Sequence, residues 1–222
     1  MRMPFKRYEI GKVFRDGPVK TGRNREFTQC DVDVVGVSSM IAEAEYFAIT
    51  MDVFNILGLP VYISYNNRKL LSGIVEASSI DSHKAGTVIL SIDKLEKIGK
   101  EGVSRELEEK GIDEDSVIKL FNYMEMEPKE LLRYLSQNPI NKSIKEGLDE
   151  LNELNSFIEA AQLSENVKLS PFLARGLEIY TGTIWEVFLK DGSITSSLGG
   201  GGRYDKIIGG FLESDNEYPA VG

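Results

Sequence analysis

Between residues 101 and 160 the chain carries 15 acidic and 7 basic side chains on stretches of helical spacing, and segments with strand character flank this region on both sides. That change of period, from two residues to about 3.6 and back, narrows the available folds more than any other feature. Helical spacing shows over 104–110, 115–124, 128–135 and 142–161, with breaks expected at Gly111, Pro128, Pro139 and Gly147. A small acidic helical unit inserted into a mixed domain is the economical reading. The expected fold class is α+β, an antiparallel sheet backed by helices, divided as 1–80 (core, first part), 81–165 (helical insertion) and 166–222 (core, second part).

The flanks supply the strands. Residues 8–14 alternate imperfectly, Asp16-Gly17-Pro18 marks a turn, Lys20-Thr21-Gly22-Arg23-Asn24 continues the loop, and 27–35 is Val-rich and free of Gly and Pro. Together these predict a hairpin with a long basic tip. Ser38-Ser39 can cap a helix running to about Leu57, with Ala42, Tyr46, Ile49, Val53 and Ile56 on one face and Gly58 and Pro60 as its stop. Residues 61–65 read as a strand, with Asn66-Asn67 turning the chain away. Strands are expected again at 167–169, 179–189 and 193–198, with Asp191-Gly192 as a turn before the four glycines Gly199 to Gly202.

Composition closes off several functions. Hydrophobic content of 41% and charged content of 27% are ordinary for a globular chain. No apolar run approaches the ~20 residues of a membrane helix. One cysteine, Cys30, leaves no internal disulfide and suits a reducing cytosol, and one histidine, His83, leaves no His/Cys metal cluster and no Ser-His-Asp triad without it. The chemistry must come from Arg, Asp, Glu, Tyr and backbone. Net charge is −9, against a protein that coats nucleic acid, yet residues 1–25 sum to +6. A basic segment on an acidic chain fits a local anionic ligand such as a phosphate or one region of an RNA, although a solvated charged loop explains most such runs.

Two phosphate-loop lookalikes fail. Gly17 and Gly22 have the glycine spacing of a P-loop, but Arg23-Asn24 stands where Lys and Ser/Thr are required, and the Gly199–Gly202 run fits no dinucleotide fingerprint. The second hairpin strand says more. Residues two apart share a face, so Phe27, Gln29, Asp31, Asp33 and Val35 point one way and Thr28, Cys30, Val32 and Val34 the other. The second set can be core, with Cys30 as an inert packed thiol. The first can floor a site, or equally face solvent.

Three stretches then resemble a known family. Phe14-Arg15-Asp16-Gly17-Pro18, followed by Gly22-Arg23-Asn24-Arg25-Glu26-Phe27-Thr28-Gln29-Cys30-Asp31-Val32-Asp33, is similar to motif 2 of class II aminoacyl-tRNA synthetases in its histidyl version. Leu173-Ala174-Arg175-Gly176-Leu177-Glu178-Ile179-Tyr180-Thr181-Gly182 resembles the histidine-specific signature of the histidyl-tRNA synthetases, and Gly200-Gly201-Gly202-Arg203-Tyr204-Asp205 resembles that family's second signature. The three occur in the family's order and flank an insertion where the family also has one.

The resemblance implies roles. Arg15 would hold the α-phosphate of ATP, a charge-assisted bond of roughly 1.5–3 kcal/mol. Arg25 would also face the phosphates, and Phe27 would stack on adenine, typically ~1–3 kcal/mol. Gln29 and Asp33 would take the histidine, with Asp33 on its α-ammonium; other members of the family carry Glu there. Arg175 would be the catalytic arginine, offsetting charge as the histidine carboxylate attacks the α-phosphate, worth roughly 3–4 kcal/mol. Tyr180 and Tyr204 would shape the imidazole pocket, and Gly201 and Gly202 would let backbone approach the ligand.

The implied reaction uses ATP as co-substrate, with Mg²⁺ on its phosphates and no metal held by the protein, and then a tRNA(His) 3′ end. A cytoplasmic homodimer without a membrane partner is implied for the parent. Motif 1, an upstream histidine-reading Glu, motif 3 and the anticodon-binding domain find no counterpart in the sequence. The chain is therefore expected to be a catalytic-domain fragment unable by itself to complete aminoacylation. Two rivals stand beside this reading: a catalytically silent, histidine-binding regulatory subunit of histidine biosynthesis, and an interaction module using the acidic insertion. The intact signature from Arg175 to Tyr180 argues against the first.

Overall fold

The computed structural model describes residues 2–17, 19, 23–138 and 140–222. Pro18 and residues 20–22 of the expected hairpin loop, and Pro139 as a helix breaker, lie outside the described residues.

Two ten-residue strands, β1 (Phe5–Phe14) and β2 (Glu26–Val35), pair antiparallel from Phe5 opposite Val35 to Phe14 opposite Glu26. A second group is built on β3 (Val61–Asn67), which takes β4 (Val167–Leu169) parallel on one side and β5 (Thr183–Leu189) antiparallel on the other; β6 (Gly199–Gly202) pairs antiparallel with β5. The short β7 (Ala220–Val221) lies antiparallel on β2. Gly202 and Gly222 exchange both backbone hydrogen bonds, at 2.9 and 3.2 Å, and Arg203 bridges Val221. The strands therefore run on as β1-β2-β7-β6-β5-β3-β4, antiparallel except at β3–β4, and the fold is α+β.

Alternation fixes the two faces of this sheet. Val61, Ile63 and Tyr65 of β3 and Trp185, Val187 and Leu189 of β5 are all buried on one face. Helix α1 (Ile41–Ile56) lays Phe47 there, its ring 5.6 Å from Trp185 and 5.8 Å from Tyr65 in edge-on contacts. Helix α2 (Arg68–Ala77) starts where Asn67 ends β3, the Asn67 side chain accepting from the backbone N–H of Lys69 at 2.9 Å and Leu70 at 3.3 Å.

The acidic middle is mainly helical: α3 (Ala85–Ile92), α4 (Leu95–Glu109, kinked at Gly99, whose φ is +70°), α5 (Glu114–Met124), α6 (Pro128–Gln137) and α7 (Lys142–Ala160). A last helix, α8 (Ile207–Phe211), follows β6. Gly147, expected as a break, sits inside α7. A Cβ there would run into the backbone of Leu70 on α2, and one at Gly73 of α2 would strike Ile144 on α7. Each glycine lets the two helices approach closely, which outweighs its ~1 kcal/mol helix penalty.

Five local expectations are corrected. Helix α1 buries Ala42, Glu43, Ala44, Tyr46, Phe47 and Met51, while Ile49, Val53 and Ile56 are 39%, 46% and 85% exposed. The helix is apolar on two sides, and the aromatic contacts of Phe47 choose between them. Cys30 is exposed rather than packed, as is Thr28, whereas Val34 is buried. Among the described residues of the hairpin, burial is confined to the base, where it meets the body of the protein. Asn66-Asn67 stay in β3, and the strand expected at 193–198 forms instead from the glycines of β6. Strand β5 begins at Thr183, so 170–182 is a loop.

Candidate active site

The second face of the sheet carries the signatures. Gly200 and Gly202 alternate along β6, and the loop 170–182 crosses above them. A Cβ on Gly200 would collide with the Arg175 guanidinium and the Trp185 carbonyl, and a Cβ on Gly202 with the Tyr180 ring. The glycines are thus a seat on which two side chains rest. Arg175 donates through Nη1 to the Trp185 carbonyl at 2.9 Å, and its guanidinium carbon stands 5.5 Å from the Tyr180 ring centroid. Gly201 faces the other way, where a Cβ would meet the Gly222 carbonyl and Trp185.

Asp33 of β2 lies on the Gly202–Gly222 side, and a Cβ at Gly222 would strike its carboxylate. Tyr204, two residues past β6, donates its hydroxyl to Asp33 Oδ1 at 2.5 Å. Burial, together with the Asp33 carboxylate it donates to, pushes the Tyr204 hydroxyl well above its ordinary range, so it remains a neutral donor. Arg7, opposite Asp33 in the β1–β2 register, places Nε 3.3 Å from Asp33 Oδ2 and donates through Nη2 to Glu9 at 2.9 Å.

Tyr204 is itself held by its neighbour. Arg203 is buried and bidentate on Glu43 of α1, at 2.7 and 2.8 Å; it also donates to the carbonyls of Val37 at 3.1 Å and Ser39 at 3.2 Å and lies 3.4 Å from Asp205. Burial raises the Glu43 carboxyl, and the paired Arg203 guanidinium opposes that rise. Next to it, Tyr46 donates to the Val221 carbonyl at 3.1 Å.

The remaining predicted residues lie farther out along the hairpin. Arg15 stacks its guanidinium 4.3 Å from the Phe27 ring centroid and donates through Nε to the Asn24 carbonyl at 3.1 Å. Arg25 donates to the Gly17 carbonyl at 3.1 Å, and Gln29 turns its amide onto Asp31 at 2.6 Å. Two groups therefore form. Asp33, Tyr204, Tyr180, Arg175 and the glycines sit where β2, β7 and β6 meet; Arg15, Arg25 and Phe27 sit at the hairpin's outer end, with Gln29 between. Phe27, Gln29 and Asp33 share one face of β2 by alternation.

A carboxylate beside a phenol suits an ammonium, and the Arg175 guanidinium over a glycine strand suits an anion. Among the described residues no group of three or more His, Cys, Asp or Glu side chains converges as a metal site. A cavity of about 270 Å³ between α4 and α5, lined by Lys100, Glu101, Val117 and Phe121 among others, belongs to the helical region and touches none of these residues. Arg7, Glu43 and Arg203 escape the sequence reading as site residues. Glu43 lies among Ala42, Ala44, Tyr46 and Phe47 with a second acid, Glu45, two residues on, so residue type alone did not mark it.

A family model described as histidyl-tRNA synthetase matches residues 2–222. The chain is 51% identical over 222 residues to histidine--tRNA ligase 1 of Bacillus cereus (strain ATCC 10987 / NRS 248), which covers all of this chain and 51% of that relative. It is 40% identical to histidine--tRNA ligase of Aeropyrum pernix, over 99% of this chain and 50% of that one. The crystal structure of histidyl-tRNA synthetase from Nostoc sp. PCC 7120 superposes with a TM-score of 0.86 at 31% identity, over all of this chain and 52% of that one. The chain belongs to the histidyl-tRNA synthetase family. It spans about half the length of the curated relatives it matches. A structure described as an ATP phosphoribosyltransferase regulatory subunit/histidyl-tRNA synthetase from Bacillus halodurans shares the fold, with a TM-score of 0.81 at 18% identity.

Proposed function

We propose that this chain is the catalytic half of a histidine–tRNA ligase, in which residues 81–165 form an inserted helical unit between two parts of one core. Histidine binds with its α-ammonium on Asp33 and its imidazole between Tyr180 and Tyr204, with Gln29 and the backbone of Gly201 and Gly202 completing the contacts. ATP binds with adenine on Phe27 and its phosphates toward Arg15 and Arg25; Mg²⁺ arrives on the nucleotide. A histidine carboxylate oxygen attacks the α-phosphorus, the bond to the leaving pyrophosphate breaks, and Arg175 with Arg15 offsets the charge on the phosphate oxygens. The terminal ribose hydroxyl of tRNA(His) then attacks the activated carbonyl and AMP leaves. Positioning and charge neutralisation carry the catalysis. A cytoplasmic homodimer is the proposed setting of the whole enzyme.

The observation that carries this reading is the grouping on one sheet face of the Asp33–Tyr204 pair with Arg175 and Tyr180 seated on the glycine strand. Calorimetric titration with histidine tests it. Asp33→Ala is expected to abolish saturable histidine binding while the far-ultraviolet spectrum and melting stay cooperative. Unchanged binding in that variant would refute the assignment.

A further inference from the structure

The geometry points to Arg7 as a positioning residue that fixes Asp33 for an ammonium and so sets selectivity for ligands bearing one. This rests on the histidine-binding reading above and adds a residue to it.

Asp33 has two oxygens with different duties. Oδ1 accepts the Tyr204 hydroxyl at 2.5 Å. Oδ2 faces Arg7 Nε at 3.3 Å, an ion-pair distance, while the strong hydrogen bond of Arg7 goes to Glu9 at 2.9 Å. Arg7 thus stands beside Oδ2 without claiming it. A carboxylate's terminal torsion is broad, so one anchor on Oδ1 leaves the group free to swing. A second charge beside Oδ2 fixes its plane.

On this face of the strand pair Glu9, Asp31 and Asp33 are negative and Arg7 is positive, with Asp31 opposite Glu9 and Asp33 opposite Arg7. Their sum is −2, so the surroundings of Asp33 favour a cation. Arg7 is opposite Asp33 in the hairpin register, so backbone pairing sets the spacing. The fork of a guanidinium reaches both carboxylates at once, which a lysine ammonium does less well. The side chain of Arg7 is 46% exposed and that of Asp33 23%, so substituting Arg7 opens no buried void.

The test is calorimetric titration of this chain with histidine and with imidazolepropionate, which lacks the amine. Arg7→Gln is expected to lose about tenfold in histidine affinity, roughly 1.4 kcal/mol, while imidazolepropionate changes by less than about twofold. Arg7→Lys recovers part of the loss, and Glu9→Gln shows a smaller loss of the same selective kind. Lys12→Gln, which removes a cation on the opposite hairpin face, leaves histidine affinity unchanged. Equal loss of both ligands, no loss, or tighter histidine binding in Arg7→Gln would overturn the inference alone. Absence of saturable histidine binding in the unsubstituted chain would overturn the underlying reading and this inference with it.

Discussion

Replacing Glu43 by Gln keeps the side chain's shape and removes its charge. Arg203 is then left buried opposite a neutral amide, and breaking such a pair commonly costs about 3–5 kcal/mol. Three acceptors remain to the guanidinium, the carbonyls of Val37 and Ser39 and the Asp205 carboxylate, which argues for the lower end. A loss of about 3 kcal/mol corresponds to a fall in Tm of roughly 6–12 °C for a chain of this size. Thermal melting by circular dichroism measures it. A double-mutant cycle with Arg203→Met should show coupling of about 1–3 kcal/mol, because the two side chains form one unit. Melting within about 2 °C of the parent, or strictly additive losses, would refute the claim that this pair ties α1 to the end of β6.

Three further outcomes follow from the same geometry. Gly200→Ala should destabilise the chain and displace Arg175, whereas Gly11→Ala, whose Cβ meets open space, should leave melting unchanged; paired melting curves decide. The carboxyl of Glu106 is pulled down to about 2 by hydrogen bonds from Lys110 and Lys94. Its folded value lies below its unfolded one, so its contribution is complete above about pH 4.5 and disappears as pH falls toward 2. The stability gap between the parent and Glu106→Gln should therefore narrow over that interval in acid titrations, and a constant gap would contradict the assignment. Phe47→Ala, emptying a fully buried site against Trp185 and Tyr65, should cost about 3–5 kcal/mol in urea unfolding, while Ile56→Ser should cost under about 0.5.

Much of the fold was legible because period and punctuation agree. Two-residue alternation marked the hairpin, and helical spacing marked the acidic middle. What escaped depends on how far one element covers another. Cys30 alternates correctly with Val32 and Val34, yet lies beyond the part of the hairpin that the body covers. Helix α1 offers two apolar sides, and only the rings of Trp185 and Tyr65 select Phe47 over Val53 and Ile56. The glycine strand goes unassigned in the sequence because its reason for being glycine, the side chains of Arg175 and Tyr180 resting on it, comes from a segment about 20 residues away.

The candidate site divides in the same way. Phe27, Gln29 and Asp33 could be placed on one face from spacing, whereas joining them to Arg175, Tyr180 and Tyr204 required family resemblance. Arg7 and Glu43 were hidden because their significance lies in a cross-strand register and in a contact 160 residues away along the chain.

The most direct measurement of the central claim is histidine-dependent exchange between ATP and pyrophosphate, run on this chain and on the longer ligase it is proposed to belong to, each with and without Arg175→Ala. Exchange that requires histidine in the longer protein, falling about 10²–10³-fold in Arg175→Ala, is the predicted result. A well-folded longer protein that binds histidine and catalyses no exchange would contradict it and assign the site to a silent regulatory subunit instead.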